Sequence, residues 1–205
     1  MKPNGADRGL RAAVEELLRR YPNGIFPIVG AGDPVLRNPV QPYAGQLGDL
    51  LDATLDAMRR TMLDAPGVGL AANQIGLPLA LAVMWDPGTD TSDPRERSPF
   101  ACRAVINPTY QVVPSPDTGL VESRTFYEGC LSVPGYQAEV TRHRAVRFRG
   151  TDQDGTEFDE VLVGWPARIA QHETDHLAAT LYVDKADLRT LATNQWLAAA
   201  RSLPS

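Results

Sequence analysis

A chain of 205 residues, 43% apolar and 22% charged, is long enough to bury one sizeable core and has the composition of an ordinary globular protein. Twenty basic against 25 acidic residues leave a formal net charge of −5, which argues against a nucleic acid or an anionic membrane surface as the principal partner. No apolar run approaches the roughly 20 residues of a membrane-spanning helix, and the first residues lack the order of a secretory signal. With Asp7, Glu15 and Glu16 also poorly suited to a transit peptide, the expected location is the cytoplasm, where Cys102 and Cys130 stand as thiols.

In chain order, residues 1–30 read as an N-terminal extension and 31–205 as a single domain. The extension carries a short amphipathic helix at Leu10–Arg20 and a Pro/Gly-rich link from Pro22 to Gly32. Leu47, Leu50, Leu51, Thr54, Leu55, Met58 and Met62 recur at helical spacing and predict a helix over Gln46–Asp64, ended by Pro66, Gly67 and Gly69. Strand-like runs follow at Leu79–Trp85, Ala104–Asn107, Val140–Arg149 and Glu157–Val163. The polar, Pro-rich stretch Asp86–Pro99 reads as a mobile surface loop, and Asp154-Gly155 as a hairpin turn. Pro166 suits the start of a helix running to about Ala179, and a last helix is expected over Ala186–Arg201. The pattern predicts an α+β fold, with short, mostly antiparallel strands packed around one central helix.

That central helix carries Gln171-His172-Glu173-Thr174-Asp175-His176. Residues four apart lie one above the other on a helix, so His172 and His176 can chelate one divalent cation, and Glu173 can reach water at the ion without ligating it. A catalytic ion wants a third protein ligand. Beyond His176 the chain contains neither Glu nor His, so that ligand is sought upstream, among Cys130, Cys102 and His143. The run Glu128-Gly129-Cys130-Leu131-Ser132 favours Cys130: the glycine permits close approach of the backbone, and a thiolate is a good ligand for zinc or ferrous iron. Cys102 reads as a small buried apolar residue and His143 as an exposed strand residue.

Gly67-Val68-Gly69-Leu70-Ala71-Ala72-Asn73-Gln74, EGCLS at 128–132 and QHETDH at 171–176, in this order, resemble the three motifs of the peptide deformylases. The resemblance runs from about Ile28 to Asp187 and departs from the family's usual choices at Asn73, Thr174 and Ala179. It implies one divalent metal per chain held by Cys130, His172 and His176, with Fe2+ as the native ion and Zn2+, Ni2+ or Co2+ able to substitute. It further implies hydrolysis of the formyl group from formyl-methionyl nascent peptides at the ribosome, with Glu173 as general base. The Gln74 amide and the Leu131 backbone N–H would donate to the developing oxyanion. The peptide would add as a strand beside Gly69 and the stretch before Cys130, and its methionine would enter a pocket near Phe126, Gly129, Ile169 and His172, rimmed by Trp165 and Arg168. Glu128 would anchor the cysteine loop through a hydrogen bond. The rival readings are a metallopeptidase, disfavoured by the missing downstream ligand, and a catalytically silent member that binds metal and peptide.

Overall fold

The computed structural model describes residues 5–88 and 93–201. Along them run α1 (Gly5–Arg20), α2 (Leu51–Asp64), β1 (Gly69–Ala71), β2 (Leu81–Asp86), β3 (Phe100–Val112), β4 (Ser123–Cys130), β5 (Val133–His143), β6 (Ala145–Thr151), β7 (Glu157–Val163), α3 (Trp165–Leu177), β8 (Ala186–Thr193) and α4 (Asn194–Arg201). The strands form two antiparallel sheets, one in the order β1-β2-β3-β6-β7 and one in the order β4-β5-β8. The α+β class is the one expected from the sequence.

The reason β2 is apolar from Leu81 to Trp85 lies in what covers it. Leu81 and Val83 join a cluster with Leu55, Met58 and Met62 of α2, whereas Ala82 and Met84 join Ile169 and Ala170 of α3. Successive side chains of a strand point to opposite faces, so a strand covered on both sides has no polar position to spare. Helix α3 touches strands of both sheets, including β1, β2 and β5. Its first turn holds Pro166, and two residues past its end at Leu177 the chain turns at Ala179, which adopts φ +64°.

The N-terminal helix is packed against the main core. Val14 is fully buried, and Leu10, Leu17 and Leu18 pack against the α2 cluster. Arg11 donates to the Leu47 carbonyl and, at 2.9 Å, to Asp49.

Four expectations need correction. The helix over Gln46–Asp64 starts later: Gly48 sits at φ +55°, which an α-helix cannot continue through, and a 3-10 turn at Gly48–Leu50 leads into α2. The single run Val140–Arg149 is two strands of different sheets, broken at Arg144, whose backbone N–H bonds to Glu122 and whose carbonyl accepts from Gly164. The segment Ala186–Arg201 is helical only in its second half. Residues 186–193 pair with β5 (Val140 opposite Ala186, Tyr136 opposite Thr193), and this pairing overrides local propensity before Thr193 caps α4 through the Trp196 N–H. Of the loop expected at Asp86–Pro99, residues 89–92 lie outside the described residues. The remainder is tied down: Asp86 is fully buried and bonded to Arg97 at 2.8 Å, and Glu96 is bonded to Arg144 at 2.6 Å.

The hairpin at Asp154-Gly155 is present, with the Asp152 carboxylate accepting from the Asp154 and Thr156 N–H groups.

Candidate metal centre and active site

The Nε2 atoms of His172 and His176 stand 3.2 Å apart, and the Cys130 Sγ is 3.2 Å from the Nε2 of His176. Cys130, His172 and His176 are the described residues whose ligand atoms cluster closely enough to hold an ion. Tetrahedral zinc with Zn–N near 2.0–2.1 Å would separate two nitrogen ligands by about 3.3 Å, so the spacing fits the ion the donor set suggests. Cys102 packs among the α2 cluster, and the His143 Nδ1 lies 3.4 Å from the Ser123 hydroxyl, so neither is part of this group.

What orients His172 is Glu128. Glu128 lies two residues before Cys130 on β4, across a break in the β4–β5 register after Gly129. The Glu128 carboxylate is buried and takes the His172 Nδ1 at 2.6 Å, leaving Nε2 to face the ligand cluster. The same carboxylate accepts from Arg142 at 2.8 and 2.6 Å and from Arg168 at 2.8 Å. Desolvation would raise the Glu128 carboxyl, but Arg142 and His172 outweigh it and hold the group well below the usual carboxylate range. Arg142 also bonds to Asp175 of α3 at 2.8 Å, where Lys185 and Tyr110 join. The network therefore locks β4, β5 and α3 to one another around the ligands.

Burial makes His176 the harder imidazole to charge: desolvation and the neighbouring His172 push it well below its ordinary value. At His172 desolvation acts in the same direction, but the adjoining Cys130 and Glu128 reverse it and hold the ring well above its ordinary value.

Glu173 lies in a tight space beside β1. A Cβ on Gly69 would lie 2.0 Å from its Oε1, so the absent side chain at Gly69 is what admits the carboxylate. Desolvation pushes the Glu173 carboxyl up to about 7. A buried carboxyl poised there can take a proton and return it near neutral pH.

Gln74 sits in a 3-10 turn after β1. Its Oε1 accepts from the Ala71 N–H at 2.9 Å, which turns its NH2 group toward the Ser132 hydroxyl at 3.2 Å and the Cys130 Sγ at 3.5 Å.

These groups open into one cavity of about 590 Å³, lined among others by Gly69, Gln74, Gly129, Cys130, Leu131, Ile169, His172 and Glu173. Its walls include β1, an edge of the five-stranded sheet, and β4, an edge of the three-stranded one. Trp165 and Arg168 are part of the lining. Phe126 is not: it shares the β4 face of Glu128, but the Arg168 guanidinium lies 5.3 Å from its ring centroid, and Phe126 lines a separate small cleft.

The sequence pattern of the family described as polypeptide deformylase matches residues 25–191. The chain belongs to this family. A peptide deformylase of Bifidobacterium adolescentis is 50% identical over 193 residues, 92% of this chain and 86% of that protein. Peptide deformylase 3 of Streptomyces avermitilis is 48% identical over 204 residues, 98% of this chain and 88% of that one. Among solved structures, the Met-Ala-Ser-bound class I type b peptide deformylase of Acinetobacter baumannii superposes with a TM-score of 0.69 at 29% identity, covering 78% of this chain and 98% of the other. Like its relatives, the chain is an amide hydrolase of the peptide deformylase family.

Within this deformylase site, sequence reasoning missed Arg142, Ser132 and Asn73. Arg142 was signalled by parity: Ala138, Val140 and Arg142 alternate as buried positions of β5, opposite the Glu128 face of β4. Asn73 donates to the His176 carbonyl at 2.6 Å, tying the Gln74 turn to the end of the metal helix, and no local pattern announces that contact.

Proposed function

We propose that the chain hydrolyses the N-formyl group from formyl-methionyl peptides newly made at the ribosome in the cytoplasm, using Fe2+ as its native ion. The observation that carries this reading is the convergence of Cys130, His172 and His176 with Glu173 and the Gln74 amide in one cavity. A divalent ion held by the three ligands would polarise the formyl carbonyl and lower the pKa of water, from about 15.7 toward 7 in favourable sites. Zn2+, Ni2+ or Co2+ can take the same ligands.

The chain's own residues supply the rest. Glu173, buried beside the ligands, takes a proton as water attacks the formyl carbon and returns it to the leaving amine, so formate and a free N-terminus result. The Gln74 NH2, held by Ala71 at its other end, donates to the oxygen on which negative charge develops, and the Leu131 N–H is the second donor. Losing one such donor costs about 3–4 kcal/mol of transition-state stabilisation in comparable sites. The Glu128 carboxylate keeps His172 in one tautomer throughout. The peptide lies extended between the edges of β1 and β4, pairing with both by backbone hydrogen bonds. Gly129 and Ile169 bound the space for its first side chain. Residues 1–30 act as an extension that buttresses the domain over 31–205.

Formate release from a formyl-Met tripeptide by protein loaded anaerobically with Fe2+ tests the reading. Release from the formylated and not the acetylated peptide is expected. Equal cleavage of both, or cleavage of internal peptide bonds, would overturn it.

A further inference from the structure

One wall of the cavity is built by a segment outside the family's three motifs. His172, Ile169, Arg168 and Trp165 share a face of α3 at helical spacing, and all line the cavity. At a rise of about 1.5 Å per residue, Trp165 stands roughly 10 Å along the helix axis from His172. Arg95 lines the cavity next to it, with its guanidinium carbon 5.1 Å from the Trp165 ring centroid. From the other side Asp93 holds the same guanidinium through bonds of 2.9 and 2.7 Å.

This wall is built, not draped. Arg97 bonds to the buried Asp86 at 2.8 Å and approaches the Trp165 ring at 5.6 Å. Glu96 is gripped by Arg144 at 2.6 Å. The segment also presses on the start of α3, where a Cβ on Gly164 would lie 2.6 Å from the Glu96 Cβ. Gly164 adopts φ +67°, so both its conformation and the close approach require glycine.

We propose that Arg95, stacked on Trp165, is a specificity-determining residue that closes the far end of the pocket for the substrate's first side chain and limits the length it accepts. The assignment rests on the deformylation reading above and deepens it. An unbranched side chain of four heavy atoms extends about 5 Å beyond its Cα, which puts its tip roughly 7 Å from the formyl carbon. The axial separation of roughly 10 Å between His172 and Trp165, less about 3.5 Å of van der Waals contact, is of the same order as that reach. Methionine therefore fills the pocket, and a longer chain meets the Arg95–Trp165 wall. A guanidinium stacked on an indole suits this role because its planar fork is pre-organised by Asp93 and loses little freedom on contact.

The test uses metal-loaded enzyme and formyl tripeptides whose first residue is norleucine, with four side-chain carbons, or 2-aminooctanoate, with six. For the wild type, kcat/KM is expected to fall roughly tenfold or more with the longer chain. Arg95→Ala should shrink that penalty, read as the ratio between the two peptides, to about threefold or less. Arg95→Lys, which keeps the charge but loses the planar stack, should fall between them. The same penalty in the wild type and both variants, or none in the wild type, overturns the proposal. Failure of the wild type to release formate from either peptide would instead overturn the deformylation reading, so the two failures are distinguishable.

Discussion

Gly69→Ala is the most direct probe of how the fold prepares Glu173 for its task. A Cβ at residue 69 would stand 2.0 Å from Oε1, 2.5 Å from Cδ and 2.8 Å from Cγ of Glu173. Ordinary carbon–oxygen contact is about 3.3–3.5 Å, so the carboxylate must retreat by more than about 1 Å. The glycine has no positive φ, so the alanine itself costs no backbone strain and the damage falls on Glu173 alone. A misplacement of about 1 Å can cost 10²-fold, and loss of a general base typically costs 10²–10⁴-fold. We therefore expect kcat to fall by about 10²-fold or more. Metal content should stay near wild type because Cys130, His172 and His176 are not touched. Formate release under saturating substrate, with metal analysis on the same sample, measures both. Turnover within about threefold of wild type would refute the reasoning, since Glu173 would then work from a different position.

Glu173→Gln should change the pH dependence of stability in the metal-free protein. Burial raises the Glu173 carboxyl from 4.5 to about 7, so its favourable contribution is fully present below 4.5 and is lost as pH rises through about 7. At about 1.4 kcal/mol per unit, urea denaturation at pH 8 should find the variant more stable by up to about 3 kcal/mol, and an unchanged pH slope would implicate another group. Ala179→Gly should stabilise by about 1 kcal/mol, because Ala179 holds φ +64° after α3, and a lowered melting temperature would contradict this. Removal of residues 1–24 should leave turnover within a few-fold below the melting temperature. It should nonetheless lower stability by about 3 kcal/mol or more, through loss of fully buried Val14 and the packing of Leu10, Leu17 and Leu18; inactivity of the folded truncated protein would count against the reading of this helix as an extension.

Much of the centre was legible because its chemistry is local. His172, Glu173 and His176 are set by helix periodicity, and Cys130 was marked by the glycine before it and by the ligand chemistry of a thiolate, so residue type and spacing point to them without a fold. The α+β class followed from the same periodicities. Gly69 was legible as a residue but only in part as a reason: the tertiary structure adds that Glu173 fills the place a Cβ would take.

What the sequence could not decide depends on contacts between segments far apart in the chain. Residues 186–193 have ordinary helical composition and become a strand only because β5 offers an edge to pair with. Arg142 carries a parity signal along β5, but only when β4, β5 and α3 meet does it become the buried partner of both Glu128 and Asp175. The polar stretch after Asp86 has a loop's composition, and only the closeness of Gly164, Trp165 and Arg144 turns part of it into a wall of the cavity. Local propensity is encoded within a few residues, but desolvation, ion pairing and strand pairing act through space, and space is assigned only when the chain folds.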